Sequence, residues 1–288
     1  MSTFIASIGY GLVASAVLAL AAVGFTLQFA VTNVLNLAYG AVMIASAYLT
    51  YLVNSAGVNI WIAVVVAVAT GSVLSVLLNR FVYTPFQRRG TSPIALVIVA
   101  LGMTLIIEFV TQAIAGPTNV SYVMSQGATV GFGSFQLTVA QYVVLAISVV
   151  AMLGMHLLMT LTRLGKAMRA TSANRNLARN CGIRTDRVIT ATWLITGGLC
   201  GLAGAVFAIN SGSFGATSTD LFLVLLLAAV FVGGPGEAYG AMLGALVIGL
   251  ATEVSASVIQ PDYKTVVAAL ILLGMLAVRP TGIMGARA

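Results

Sequence analysis

The chain has 288 residues, of which 60% are hydrophobic and only 7% are charged, and its formal net charge is +7. Its mean hydropathy of +1.09 lies far above that of soluble domains. This composition excludes an ordinary soluble enzyme, and the two cysteines give neither a disulfide framework nor a metal-ligand spacing. Because the basic residues flank apolar runs instead of covering a soluble face, nucleic acid is also excluded as a partner.

The N-terminal part of the chain is free of charge as far as Arg80. Because a bilayer span needs about 20 apolar residues, this stretch has room for three spans, which we predict near 6–28, 32–53 and 60–79. The N-terminus lacks the basic start of a signal peptide and continues into further apolar sequence, so we interpret it as an uncleaved first span.

The join between the first two predicted spans, residues 28–40, contains Thr32, Asn33 and Asn36. It is compatible with a broken or re-entrant helix, whose open backbone groups can bind polar substrate atoms. On that interpretation Asn33 and Asn36 are candidates for a translocation pathway. A polar hairpin that caps two helices is the alternative.

Six further apolar runs follow Arg80. They lie near 93–115, 139–161, 188–209, 221–232, 240–259 and 265–278. The total is nine spans, or eight because 221–232 is short. We therefore predict an all-α integral membrane protein, a polytopic bundle of eight or nine transmembrane helices, with residues 1–288 forming one domain. A transmembrane barrel would show alternating short segments, which are missing.

Basic residues cluster at 80–89, at 163–187, and at Arg279 with Arg287. The positive-inside rule makes these segments cytoplasmic, including the C-terminus. Three crossings before Arg80 then put the N-terminus outside, and the stretch NSGSFGATSTD becomes an outside turn. The acids that bracket the short seventh span, Asp220 and Glu237, are interpreted as its ends.

The segment 162–187 holds seven of the thirteen Lys and Arg residues. Within it Ala170, Asn174, Ala178 and Gly182 recur every four residues and would share one face of a helix. With Ser172 as N-cap and Gly182 just after the end, we predict one short cytoplasmic helix whose small face docks in a groove of another protein. The alternative is a solvated loop whose charge only orients the protein.

The same segment also reads T-x-x-G-x-A-x-R-A-x3-N-x3-A-x3-G-I, from Thr162 to Ile183. This pattern resembles the coupling loop of the LivH-type permeases of branched-chain amino acid ABC importers. Three more motifs of that family occur in order along the chain: GFTLQFAVTNVLNLAYGAVMIASAY, GGPGEAYGAMLGA and RPTGIMG. One departure is Tyr39, where family members commonly carry His.

The resemblance implies a subunit of a five-part importer in the bacterial cytoplasmic (inner) membrane. Its expected partners are two ABC ATPase subunits, a second permease of the M type and an extracytoplasmic substrate-binding protein. A small-molecule substrate, branched-chain amino acids in this family, would cross by alternating access. The positions that the resemblance assigns to ATPase coupling are Gly165, Arg169, Ala170, Asn174, Ala178 and Gly182.

The chain shows no intrinsic catalytic machinery. The only Gly-Lys pair, Gly165–Lys166, lacks the upstream Gly and the following Ser or Thr of a phosphate-binding loop. We therefore expect no enzymatic activity, metal or cofactor in this chain, and ATP with Mg²⁺ is expected to be used by the partner ATPases. His156, the sole histidine, has no second ligand nearby in sequence and is interpreted as a packing or interface residue.

Two acids fall inside predicted spans, Glu108 and Glu253. Ionisable groups in a bilayer commonly mark a substrate route, so both are candidates for the pathway. The alternative is that they reach the membrane surface or bond helix backbones. If the acids instead relay ions, the protein is a gradient-driven secondary transporter. An ABC permease for urea or short amides is a further alternative.

A glycine-rich stretch follows the seventh predicted span. Its members are Gly233, Gly234, Gly236, Gly240 and Gly244. Gly236, Gly240 and Gly244 have overlapping G-x-x-x-G spacings that favour close helix packing, and a moving hinge at GGPG is the alternative.

Overall fold

A computed structural model describes residues 2–124, 127–132, 135–260, 263–279 and 281–285. These residues form twelve helices and one two-stranded hairpin. The helices are α1 Ser2–Thr32, α2 Tyr39–Ser55, α3 Ile60–Leu77, α4 Thr84–Arg88, α5 Pro93–Ala115, α6 Val139–Leu161, α7 Arg163–Ala173, α8 Arg175–Asn180, α9 Thr185–Ser211, α10 Thr219–Gly233, α11 Ala238–Val258 and α12 Lys264–Val278; the strands are β1 Thr129–Phe132 and β2 Phe135–Thr138. Arg287, predicted to lie in a cytoplasmic tail, and the proline of RPTGIMG are outside the described residues.

The all-α polytopic membrane fold is confirmed. Within the described part of the chain, six helices are long and apolar enough to cross a bilayer: α1, α3 with its continuation to Arg88, α5, α6, α9 and α11. Two shorter apolar helices, α10 and α12, and the 17-residue α2 occupy the other predicted spans. A π-helical turn at Leu78–Tyr83 joins α3 to α4, immediately before Pro85, which has no N–H to continue an α-helical ladder.

Small residues set the close packing of the bundle. α1 is its central helix and packs against α11, α9, α10 and α6. A side chain at Gly249 would collide with Ser15 of α1, and a side chain at Gly201 would collide with the backbone of Ala67 in α3. Glycines at such crossings let helix backbones approach closely, which is how helices associate in a bilayer.

The chain turns back into the bundle after α1, as expected for a re-entrant join. Asn33 adopts a left-handed conformation with φ of 53° and donates its N–H to the carbonyl of Phe29, which ends the helix. Non-helical residues 34–38 then lead inward to Tyr39, whose ring packs edge-on against Phe25 at 5.6 Å. α2 therefore begins inside the bundle, at a level two helical turns before the end of α1.

A second return follows α9, where we predicted a turn outside the membrane. The turn is present, but it is not an open loop, because residues 214–216 are buried. Phe214 packs against the rings of Tyr48 and Tyr122, each at 5.2 Å, and this apolar contact draws the segment inward. α10 consequently starts at the depth of α2, and Thr219 donates its hydroxyl to the carbonyl of Gly40 at 3.0 Å.

The loop between α5 and α6 contains the antiparallel hairpin of β1 and β2. Tyr122 anchors this loop by donating its hydroxyl to the carbonyl of Ala47 at 3.0 Å. Burial raises the pKa of the Tyr122 phenol well above its ordinary value, so this donor keeps its proton.

Candidate translocation and coupling sites

The basic segment between α6 and α9 lies at the end of the bundle where α1 and α4 also end. Gln87 of α4 donates to the carbonyl of Thr32 at the end of α1. The segment starts with a tight corner, where the hydroxyl of Thr162 accepts a hydrogen bond from the N–H of Gly165 at 3.0 Å. Gly165 lies against the backbone of α6 at Met159, and a side chain there would collide with it. We call this end of the molecule, with α7 and α8, the basic end.

The segment forms two helices, so the prediction of one helix with a continuous small stripe is wrong. Asn174 leaves the helical conformation (φ −158°, ψ 104°), and its side chain caps α8 by accepting from the N–H of Leu177 at 2.9 Å. Ser172 is not an N-cap, because its hydroxyl donates to the carbonyl of Arg169. Asn has a side chain that competes with the helix for backbone N–H groups, which explains the break.

The helix end at Gly182 is confirmed. Its φ is +84°, its N–H donates to the carbonyl of Arg179, and the N–H of Ile183 donates to the carbonyl of Ala178. These two bonds form a Schellman motif, which satisfies carbonyls that a helix end leaves open.

The exposed face of α8 differs from the face that the spacing predicts. Ala178 is only 4% exposed, whereas Leu177 is 61% exposed. Ala170 is half-buried and Arg169 exposed on α7. An apolar Leu177 at the tip of a charged segment is the stronger candidate for contact with another protein.

Asn33 and Asn36 do not form one site. Asn33 is exposed at the basic end, where it ends α1. Asn36 is buried, and its Oδ1 accepts a hydrogen bond from the hydroxyl of Tyr83 at 2.7 Å. Tyr83 in turn stacks on the fully buried Trp193 at 5.2 Å. Among the described residues, the Nδ2 of Asn36 and the Nε1 of Trp193 have no hydrogen-bond partner. Neither aromatic partner carried a signal in the sequence.

Glu253 and Glu108 have opposite surroundings. Glu253, near the far end of α11, forms an ion pair with Lys264 of α12 at 2.6 Å. Glu108, in the second half of α5, is 6% exposed, and the Asp220 carboxyl is close enough to interact with it electrostatically. Two neighbouring carboxyl groups offer oxygen acceptors that suit a cation.

Asp220 belongs to a candidate site that the sequence did not indicate. It lies in the first turn of α10, which starts inside the bundle, and its side chain is exposed at the bundle surface. The interpretation of Asp220 as a mark of one end of the seventh span is confirmed, since α10 begins at Thr219. We call Glu108 and Asp220 the carboxyl pair.

Gly240 and Gly244 pack closely, as the spacing predicts, whereas Gly236 lies in open space. Side chains at Gly233 and Gly240 would each collide with the other residue's backbone, and one at Gly244 would collide with the backbone of Ala229. Gly234 and Gly236 have φ of 113° and 95° and form the turn between α10 and α11. The C-terminal segment closes this crossing, because the N–H of Met284 donates to the carbonyl of Gly233. Hinge motion here remains a prediction.

Comparison with known proteins identifies the family. A family model described as branched-chain amino acid transport system / permease component matches residues 7–276. The chain belongs to this permease family. It is 28% identical to the high-affinity branched-chain amino acid transport system permease protein LivH of Escherichia coli K12, with 93% of this chain and 91% of that protein covered. It is also 29% identical to the galactofuranose transporter permease protein YtfT of the same organism, with 92% and 77% covered.

The fold of this permease has a solved counterpart. The structure titled PsaBC from Streptococcus pneumoniae in complex with Fab resembles it with a TM-score of 0.57 at 13% identity, covering 94% of this chain and 91% of that one. At this identity the likeness concerns the fold alone. Together with the apolar helices, the relatives establish a multi-pass membrane transport component.

Proposed function

We propose that this permease is a membrane-spanning subunit of an ATP-driven importer that moves branched-chain amino acids into the cytoplasm. Two ATPase subunits would bind the basic end and use ATP with Mg²⁺. A second, M-type permease would complete the pathway, and an extracytoplasmic binding protein would deliver substrate to the opposite end. The basic end and the C-terminus would then face the cytoplasm of a bacterial cell, as the positive-inside rule predicts.

The observation that carries this proposal is the geometry of α7 and α8. They form a two-helix segment between the long α6 and α9, and the segment presents Leu177 at its surface. Gly165 fixes α7 tightly against α6. A movement imposed on α8 by an ATPase would therefore be transmitted to both long helices, as alternating access requires.

Substrate choice is proposed from the carboxyl pair, since relatives of similar identity are named for different substrates. An α-amino acid carries an ammonium group, for which Glu108 and Asp220 supply acceptors in the span region. A neutral sugar brings no cation to neutralise the two acids. Branched-chain amino acids therefore suit the pair better than galactofuranose does.

The coupling role is tested by Leu177→Asp, which places a charge on the exposed apolar position of α8. We expect the ATPase subunits to be lost from a mild-detergent pull-down of the tagged permease, and uptake to fall by at least about tenfold. Asn180→Asp is the matched control, because it adds the same charge to an exposed position of the same helix. Normal uptake and normal ATPase recovery with Leu177→Asp would refute the docking role.

Sidedness is tested at Cys181, which is exposed beside α8. We expect an impermeant thiol reagent to label it in inside-out vesicles and to leave it unlabelled in intact cells. Cys200 is buried and serves as an internal control. Labelling in intact cells only would overturn the proposed orientation.

The carboxyl pair also favours a second candidate function, a gradient-driven transporter in which Glu108 and Asp220 carry a proton. Uptake that collapses with an uncoupler while ATP is maintained would support this candidate. Recovery of the chain without ATPases, under conditions that preserve a known ABC complex, would support it further. ATP-dependent uptake that persists with the uncoupler would eliminate it.

A further inference from the structure

A cavity of about 300 Å³ opens at the basic end, between α1, α6, α7 and the start of α11. Its volume is at the lower end of the range for small-molecule sites in proteins, ~300–1,000 Å³. It is separate from the carboxyl pair, which lies in α5 and α10. The cavity also borders α7, the first helix of the basic segment.

The inner wall of the cavity is apolar and deformable. Met168 of α7 is fully buried there, and Met159 of α6 and Met242 of α11 complete the wall. Methionine side chains are unbranched and polarisable, so they adapt to apolar groups of different shapes. Such a wall fits a short branched or unbranched hydrocarbon side chain.

The rim of the cavity is polar and carries one charge of each sign. The charged residues that line it are Arg169 of α7 and Glu237, which lies before α11. Neither side chain has a hydrogen bond or an ion pair with another described residue. Next to them His156 of α6 is hydrogen-bonded to the hydroxyl of Tyr239 at 2.5 Å, which fixes the edge of the opening.

We propose that this cavity binds a free zwitterionic amino acid with an apolar side chain. The guanidinium of Arg169 would bind the carboxylate, for which its planar donors are suited. The carboxylate of Glu237 would accept from the ammonium group, and the methionine wall would cover the side chain. A neutral sugar leaves both charges unpaired, and an anionic phospholipid headgroup without an ammonium group leaves Glu237 unpaired.

Occupancy of this cavity controls transport through α7. A bound amino acid contacts Arg169 and Met168 on α7. It also contacts Glu237 and Met242 at the start of α11, so it holds α7 and the rest of the basic segment against the bundle. Substrate that has accumulated on the basic side therefore slows its own further uptake. This inference rests on the proposed function for its substrate class and for the role of α7.

The test uses the whole importer in proteoliposomes filled with ATP and Mg²⁺, with or without millimolar leucine inside. We expect internal leucine to slow initial uptake about fivefold or more, within the range of ordinary allosteric coupling. Internal galactose should have no effect. In Glu237→Gln, uptake into leucine-free vesicles should stay normal and the inhibition should disappear. In Met159→Trp, which fills the cavity, internal leucine should cause no additional slowing. Leu157→Trp, on the exposed face of the same helix, should keep the inhibition.

Binding is measured separately on the detergent-solubilised importer, as the thermal shift that leucine produces. We expect the shift to persist in Asp220→Asn, which weakens the proposed transport site, and to vanish in the double variant Asp220→Asn/Glu237→Gln. If the vesicles show no ATP-dependent uptake, the proposed function fails, and the thermal shift alone decides the cavity's ligand. Equal inhibition and equal thermal shifts in the wild type and in both cavity variants would overturn the proposal. A shift produced by phospholipid and not by leucine would assign the cavity to lipid and would also overturn it.

Discussion

Glu253 and Glu108 are both acids within membrane helices, and the fold gives them opposite partners. Glu253 faces Lys264 at 2.6 Å, and the two charges compensate within the chain. Glu108 faces Asp220, so its neighbour increases its need for a cation or a proton. The role of each acid therefore follows from its partner more than from its depth in the bundle. An acid paired with a lysine holds two helices together, whereas an acid beside another acid is available to a substrate.

The difference originates in how α10 and α12 begin. Lys264 is the first residue of α12 and lies at the end of the bundle, within reach of α11. Asp220 lies in the first turn of a helix that starts inside the bundle, because residues 214–216 return inward.

The largest effect is expected from Asp220→Lys, which gives Glu108 the kind of partner that Glu253 has. A lysine ammonium would occupy the acceptors proposed for the substrate, and like charges brought together cost several kcal/mol, so we expect uptake to fall by at least about a hundredfold. The melting temperature should stay the same or rise, because Glu108 gains an ion pair. Uptake by membrane vesicles and thermal unfolding measure the two effects.

Asp220→Asn is the milder companion of that variant. It keeps the side-chain shape and one acceptor, so we expect a loss of only about tenfold, the size of one hydrogen bond to a charged group. Uptake at the wild-type rate in Asp220→Lys would show that the carboxyl pair does not face the substrate.

A smaller effect is expected from Lys264→Met, which leaves Glu253 without its cation. The side chains of the pair are 33% and 22% exposed, so we expect the free energy of unfolding to fall by ~1–3 kcal/mol, less than for a fully buried pair. The double variant Lys264→Met/Glu253→Gln should recover most of that loss. Failure of the double variant to recover would mean that the ion pair is not the source of the stability.

The helices were largely predictable from the sequence, because apolar runs bounded by charge and polar residues coincide with α1, α5, α6 and α9. The two returns were harder. The first was indicated by polar residues at 32–36, but the second contains Phe214, whose burial depends on Tyr48 and Tyr122 from other parts of the chain. No local pattern contains that information.

Residues of the candidate sites were predictable one at a time, and their partners were not. Glu108 and Asn36 were identified as polar groups in apolar surroundings, whereas Asp220 and Tyr83 contact them through the fold. In the basic segment, residues 162–187, the four-residue spacing of small residues indicated one helix. The cap formed by Asn174 overrides that spacing, since a single side-chain hydrogen bond starts a new helix there.

The smallest effect is expected from Asp186→Asn, which removes the acid shared by Arg175 and Arg179. Asp186 forms ion pairs with these arginines, at 3.3 Å and 3.5 Å, and not with its sequence neighbours Arg184 and Arg187. All three paired side chains are about half exposed or more. Water screens such pairs, so the free energy of unfolding should change by less than about 1 kcal/mol. Thermal unfolding in low and high salt measures this. A loss of stability as large as that of Lys264→Met would show that the exposure of an ion pair does not determine its contribution to stability in this protein. It would also show that α8 depends on Asp186 for its position.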